Sequence, residues 1–183
     1  RIGMIIVDEE HRFGVKQKEK IRSIKHSIDV LSMSATPIPR TLNLALAGIR
    51  EISTLHTPPK SRLPIETQVS YSNDALIKGA ILSEKYRGGQ LFFVHNDVKT
   101  LPNYVTHIQK LLPAISVDIV NGQMPSRKIE AVMGRFINKE IDVLVCTSII
   151  ETGIDIANAN TVIINNAQQF GLSQLYQIRG RVG

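Results

Sequence analysis

The chain has no tryptophan, and aromatic residues make up only 5% of its 183 positions. Nucleic-acid bases stacked on an aromatic platform are therefore not the expected mode of binding. Its single cysteine, Cys146, cannot close an internal disulfide. With no CxxC and no Cys/His cluster there is no zinc-ligand spacing either, a pattern that suits a reducing cytoplasm. No apolar run approaches the roughly 18–20 residues a membrane span needs. No basic stretch leads into an apolar run and a cleavage site, the pattern of a secretory signal. A cytoplasmic setting is expected.

Hydrophobic residues reach 43%, enough for a packed core and too many for a disordered chain. The length fits one large domain or two small ones. Net charge is +6, and the basic excess is concentrated in residues 1–60. Such a balance suits an anionic partner such as nucleic acid, although many ordinary domains are equally basic.

Short apolar runs alternate with segments of helical period. Strands are predicted at 3–7, 29–34, 50–54, 65–71, 90–95, 116–120, 142–146 and 160–165. Helices are predicted at 15–26, 38–48, 73–87, 98–112, 125–138 and 172–180. Strands rich in Val, Ile and Leu without clean alternation argue for burial on both faces. Strand and helix taking turns argues for an α/β fold with a parallel sheet. The "GG" at 88–89 reads as a helix stop. The stretch "HTPPKSRLP", with three prolines and no apolar period, reads as a stiff linker over 56–64. It separates a first domain, 1–55, from a second, 65–183.

Residues 4–14, "MIIVDEEHRFG", run a buried-type strand straight into Asp8, Glu9, Glu10 and His11. In α/β sheets ligands bind beyond the carboxyl ends of strands. Adjacent carboxylates there repel one another unless a divalent cation or a proton-transfer task compensates. The plain alternative is a solvated acidic loop. Three further stretches lie just past an apolar strand or open a helix: "SAT" at 34–36, "TSIIETGID" at 147–155 and "QIRGRVG" at 177–183.

In this order the four stretches resemble motifs II, III, V and VI of superfamily 2 helicases and translocases. With "SATPIPRTL", "GGQLFFVHNDV" and "VNGQM" added, nearly the whole chain resembles the motor of the transcription-repair coupling factors, whose near relatives are the RecG-type branched-DNA helicases. The resemblance implies two RecA-like lobes that clamp ATP and step along double-stranded DNA. The first lobe would be present in part and the second nearly whole, ending within motif VI. It implies that Asp8 holds Mg²⁺ through water and that Glu9 orients and deprotonates the attacking water. His11 would relay nucleotide state towards Ser34 and Thr36. Arg181 would reach the γ-phosphate as a finger, with Gln177 positioning it. Asp155, two residues after Gly153 in "TGID", would link the site to the ribose or to Arg181. Phosphate contacts on DNA would come from Arg40, Asn96, Gln123, Thr147 and Thr152. RNA polymerase and excision-repair proteins are implied as partners held by other modules.

The phosphate-cradling loop G-x-x-x-x-G-K-[ST] of such motors does not occur in these residues. The chain therefore reads as a fragment that carries part of a split active site and is inactive alone. Its truncated first lobe is a candidate for self-association through uncovered strands. Two alternatives stand beside this: a RecG-like branched-DNA helicase, which would usually carry Gln where Glu10 stands, and a non-catalytic RecA-like binding module.

Overall fold

The computed structural model describes residues 2–9, 13–14, 16, 19–20, 23, 28–34, 53–55, 57, 64–148, 156 and 158–182. Two compact units divide the chain, Arg1–Pro58 and Pro59–Gly183.

In the first unit, β1 (Met4–Asp8) and β2 (Asp29–Met33) pair in parallel, from Met4 opposite Asp29 to Asp8 opposite Met33. Side chains alternate between faces along a strand. Val7 is buried and Ile5 and Val30 are half-buried, whereas Met4, Ile6, Leu31 and Met33 are exposed. The predicted burial on both faces therefore does not hold for these two strands. An apolar parallel pair becomes two-sided only when a layer lies on each side, and among the described residues nothing covers the face that carries Met4, Ile6, Leu31 and Met33. The predicted helix 38–48 falls outside the described residues. So do most of helix 15–26, of strand 50–54 and of the linker 56–64.

The second unit is built on four parallel strands, β3 (Gln90–Val94), β4 (Val117–Val120), β5 (Val143–Cys146) and β6 (Ala159–Ile164), in the order β4-β5-β3-β6. Helix α1 (Asp74–Tyr86) starts where the Asn73 side chain accepts the Leu76 N–H at 2.8 Å. It ends at Gly88, whose φ of 71° places it in the left-handed region that glycine tolerates. Helix α2 (Leu101–Leu111) carries Pro102 in its first turn, where the missing N–H costs nothing. Helices α3 (Ser126–Ile137) and α4 (Leu172–Arg179) complete the unit, the latter preceded by a short 3-10 turn at Ala167–Gln169.

The two-residue period of the strands sorts the core into two layers. Leu91, Phe93, Val143 and Val145 pack with Ile77 and Ile81 of α1 and Leu101 and Ile108 of α2. Phe92, Val94, Leu144 and Cys146 face the other way, onto Val132, Met133 and Phe136 of α3 and Ile178 of α4. The Phe92 and Phe136 rings meet at 5.2 Å between centroids. Every residue of β3 and β5 is buried, the two-sided pattern their composition predicts. Each large side chain so buried contributes roughly 1.5–3 kcal/mol.

Residues 65–71, predicted as a strand, have no sheet partner among the described residues. Val69 and Tyr71 are 92% and 96% exposed, and Ile65 alone packs against the core. The alternating Ile65, Val69 and Tyr71 supply strand propensity, but a strand also needs an adjacent edge to bond.

Polar locks close the amino-terminal rim of this sheet. The buried Gln90 amide donates to the carbonyls of Phe136 and Ile141, both at 2.6 Å. The Asp142 carboxylate accepts from Lys85 Nζ at 2.6 Å and from the N–H and hydroxyl of Ser116, both at 2.9 Å. Buried Glu84 accepts from Thr161 Oγ1 at 2.5 Å and pairs with Arg87. A Cβ on Gly89 would lie 2.2 Å from Glu84 Oε1, so glycine is what lets the chain pass there. Among the described residues no helix is long and apolar enough to cross a membrane.

Candidate functional site

In the first unit the acidic cluster begins where the ladder stops. Asp8 is the last residue of β1 and is exposed. Glu9 follows with φ at 50°, in the left-handed region that non-glycine residues seldom occupy. Its N–H donates to the Met33 carbonyl at 3.0 Å, which extends the β1–β2 ladder by one bond. The turn brings the carboxylate back to the next strand's end, where Ser34 Oγ donates to Glu9 Oε2 at 3.2 Å. Two boxes 25 residues apart thus meet at the carboxyl ends of a parallel pair. Asp8 and Glu9 offer oxygen atoms only, the ligand type a hard cation such as Mg²⁺ takes, although among the described residues no group of three or more His, Cys, Asp or Glu could hold a metal ion. His11, Thr36 and Arg40 lie outside the described residues.

In the second unit Asn96 and Gln123 are exposed and Thr147 is half-buried, each one to three residues past the carboxyl end of β3, β4 or β5. Because β4, β5 and β3 are neighbours in the sheet, the topology brings these three to one rim. The Gln123 turn is set by Asn121, whose Oδ1 accepts the Gln123 N–H at 3.0 Å. Gln177 is buried on α4. Arg181 is half-buried just past its end, with its N–H on the Ile178 carbonyl at 3.0 Å. Thr152, Gly153 and Asp155 lie outside the described residues.

Sequence reasoning missed the most connected polar cluster on this rim. His95, 4% exposed, sits between Asn165 Nδ2, 3.0 Å from its Nδ1, and Thr100 Oγ1, 2.8 Å from its Nε2. Asn165 Nδ2 also donates to Tyr104 Oη at 2.8 Å. The Thr100 hydroxyl reaches Asp97, at 3.1 Å to Oδ2 and 3.2 Å to the carbonyl. The His95 and Tyr104 rings are 4.5 Å apart between centroids. Burial pulls the His95 pKa below its ordinary 6.5, against a smaller upward pull from the Asp97 charge. A pocket of about 340 Å³ opens over His95, Tyr104, Asn166 and Gln169. The available signal was a histidine that directly follows a fully buried strand and precedes the flagged Asn96.

The helicase conserved C-terminal domain matches residues 72–183. The chain belongs to that helicase family. The helicase match covers α1 through α4 and takes in Asn96, Gln123, Thr147, Gln177 and Arg181, whereas Asp8, Glu9 and Ser34 precede it. Over all of its length this helicase-family chain is 53% identical to the transcription-repair-coupling factor of Myxococcus xanthus and 51% identical to that of Haemophilus influenzae. It spans 15% and 16% of those proteins. Among solved structures, RecG bound to a three-way DNA junction is 34% identical over 99% of this chain and 24% of its own, with a TM-score of 0.72. S. cerevisiae Dbp5 bound to RNA and ADP BeF3 is 18% identical over 100% of this chain and 50% of its own, with a TM-score of 0.68, a likeness of fold alone. The parallel α/β architecture is that of the RecA-like helicase lobes, and the chain falls within the superfamily 2 helicase/translocase family.

Proposed function

We propose that this chain is the lobe-junction segment, 1–55 and 65–183 joined by 56–64, of an ATP-driven double-stranded DNA translocase of the transcription-repair-coupling type. In the parent protein it would displace stalled RNA polymerase and hand the site to excision-repair proteins in the cytoplasm. The observation that carries this reading is the Glu9–Ser34 contact, which joins the acidic box to the next box at the carboxyl ends of parallel strands. ATP with Mg²⁺ supplies the phosphoryl chemistry when bound. Asp8 would hold the cation, and Glu9 would take the proton from the attacking water. Ser34, with Thr36 and His11, senses the state of that carboxylate. Arg181, positioned by Gln177, would neutralise developing phosphoryl charge, and Asp155, with Gly153 two residues before it, would link the site to the ribose or to Arg181. Arg40, Asn96, Gln123, Thr147 and Thr152 meet DNA phosphates, which suits stepping that is indifferent to sequence.

No phosphate-cradling loop is present in these residues, so the chain alone is expected not to turn over ATP. Turnover above background, abolished by Glu9→Gln, would overturn that expectation. In the parent protein, Glu9→Gln and Arg181→Ala should each lower duplex-stimulated ATPase by roughly 10²–10⁴-fold or more. A parent ATPase indifferent to duplex DNA would sink the translocase reading. The likeness to RecG on a three-way junction favours a second reading, a branched-DNA helicase, recognised by unwinding of junctions without release of stalled polymerase.

A further inference from the structure

The polar cluster around His95 can be read atom by atom. The Asn165 side-chain nitrogen carries two hydrogens. That nitrogen lies 2.8 Å from Tyr104 Oη and 3.0 Å from His95 Nδ1. A donor facing Nδ1 requires a lone pair there, so the proton of the neutral ring sits on Nε2 and is given to Thr100 Oγ1. The Thr100 hydroxyl hydrogen is then free to go to Asp97. The result is a one-way chain of donors, Asn165 to His95 to Thr100 to Asp97, running from the end of β6 into the loop between β3 and α2. Backbone bonds hold both ends in the sheet: His95 N–H to the Cys146 carbonyl and Asn165 N–H to the Val94 carbonyl, each at 2.9 Å.

We propose that His95 is a positioning residue. Its ring, accepting at Nδ1 and donating at Nε2, ties the end of β6 to the loop that carries Asn96 and so fixes the rim on which Asn96 meets duplex DNA. Protonation of the ring releases that loop. The DNA half of this inference rests on the function proposed above; the tie itself does not.

The groups that face the ring are Thr100 and Asp97 from its own loop, Tyr104 from α2 and the neutral Asn165 just past β6. Only Asp97 favours a charged ring, and burial outweighs it. A second proton would lie on Nδ1 against the Asn165 N–H, so the amide must turn or the tie must break. This reverses the usual direction of a histidine near DNA, where added positive charge tightens phosphate binding in acid.

Three measurements on the intact chain test it. Ring ¹⁵N NMR of His95, assigned by its loss in His95→Gln, should place the proton on Nε2 at neutral pH, with a titration midpoint below 6.5. Hydrogen exchange of amides 96–100 should quicken in His95→Leu and in Thr100→Val. It should stay near wild type in His95→Gln, whose amide can both accept and donate. Fluorescence anisotropy with a short duplex at fixed salt should show roughly 3–10-fold weaker binding for His95→Leu, the scale of one lost hydrogen bond. Wild-type affinity should fall as acid titrates the ring while that of His95→Leu stays level. A proton on Nδ1, a midpoint at or above 6.5, or unchanged exchange in both Leu and Val variants overturns the tie. Equal duplex binding by wild type and His95→Leu overturns its role on DNA. If wild type binds no duplex, the proposed function fails there, and exchange and tautomer still decide the tie. If His95→Leu does not fold, Thr100→Val, which breaks the same chain one bond further on, decides it.

Discussion

Replacing Gln90 with leucine should cost the second unit roughly 1–3 kcal/mol, a figure that follows from counting donors. The Gln90 side chain is 2% exposed and gives its amide hydrogens to two carbonyls, one at the end of α3 and one just before β5. Leucine keeps the volume and removes both. The Ile141 carbonyl then loses this donor in a buried setting, at about 1–3 kcal/mol. The Phe136 carbonyl keeps the Lys139 N–H at 3.0 Å and loses only the net value of one bond, about 1 kcal/mol. Against these, Gln90 Oε1 is itself buried with no hydrogen-bond partner among the described residues, and removing it returns about 1 kcal/mol. Gln90→Glu sharpens the test, since it sets carboxylate oxygens against both carbonyls. It should destabilise more than leucine does, and part of the loss should return in acid as the carboxyl regains a proton. Urea unfolding followed by helical circular dichroism reads both variants, and a thermal melt should move about 2–4 °C per kcal/mol in a chain of this size. A Gln90→Leu protein within about 0.5 kcal/mol of wild type, the scatter of an ordinary surface change, would refute the donor count.

Three more outcomes are expected. Burial pushes the Asp142 carboxyl up, but the bonds from Lys85 and Ser116 and the Lys85 charge outweigh it and hold the group below its ordinary 3.8. Its stabilising contribution should therefore be whole above that value and drain away as pH falls from there through the lower folded value; Asp142→Asn should flatten that stretch of the stability–pH curve. Gly89→Ala should cost about 1–3 kcal/mol, because a Cβ would displace the buried Glu84 Oε1 while Thr161 and Arg87 hold the other oxygen, and would stand 3.2 Å from the Asn158 carbonyl. Adding Glu84→Ala should recover part of that loss, as a double-variant cycle in urea would show. The Cys146 thiol is fully buried and its pKa is pushed up by burial, so maleimide labelling should be slow in the native chain and complete in denaturant; fast native labelling would contradict the two-layer core.

The second unit was largely legible because its strands are short, apolar on both sides and punctuated. Predicted 90–95 became Gln90–Val94, and 142–146 became Val143–Cys146. Helix 98–112 shrank to Leu101–Leu111 because Asp97 and Thr100 spend their side chains on a turn and Pro102 fits a first helical turn. Strand 65–71 failed for a different reason: its alternation is real, but pairing depends on a neighbour that local pattern cannot supply. Of the proposed site residues, Asp8, Glu9, Asn96 and Thr147 were singled out at strand ends, and the structure places them there. The His95 cluster was missed because its key partner Asn165, 70 residues away, is brought to the ring only by the β3–β6 pairing, while Thr100 and Tyr104 reach it from the following loop and α2.

Because every strand in the larger unit points the same way, the sheet has a top and a bottom that carry different burdens. Gln90, Asp142, Ser116, Glu84 and Gly89 gather below, while Asn96, Asn121, Thr147 and Asn165 gather above. The lower edge works as a foundation whose fasteners can be strengthened or loosened by an engineer. With about the height of the sheet between the two, thermal tolerance and whatever the upper edge recognises should be adjustable one at a time.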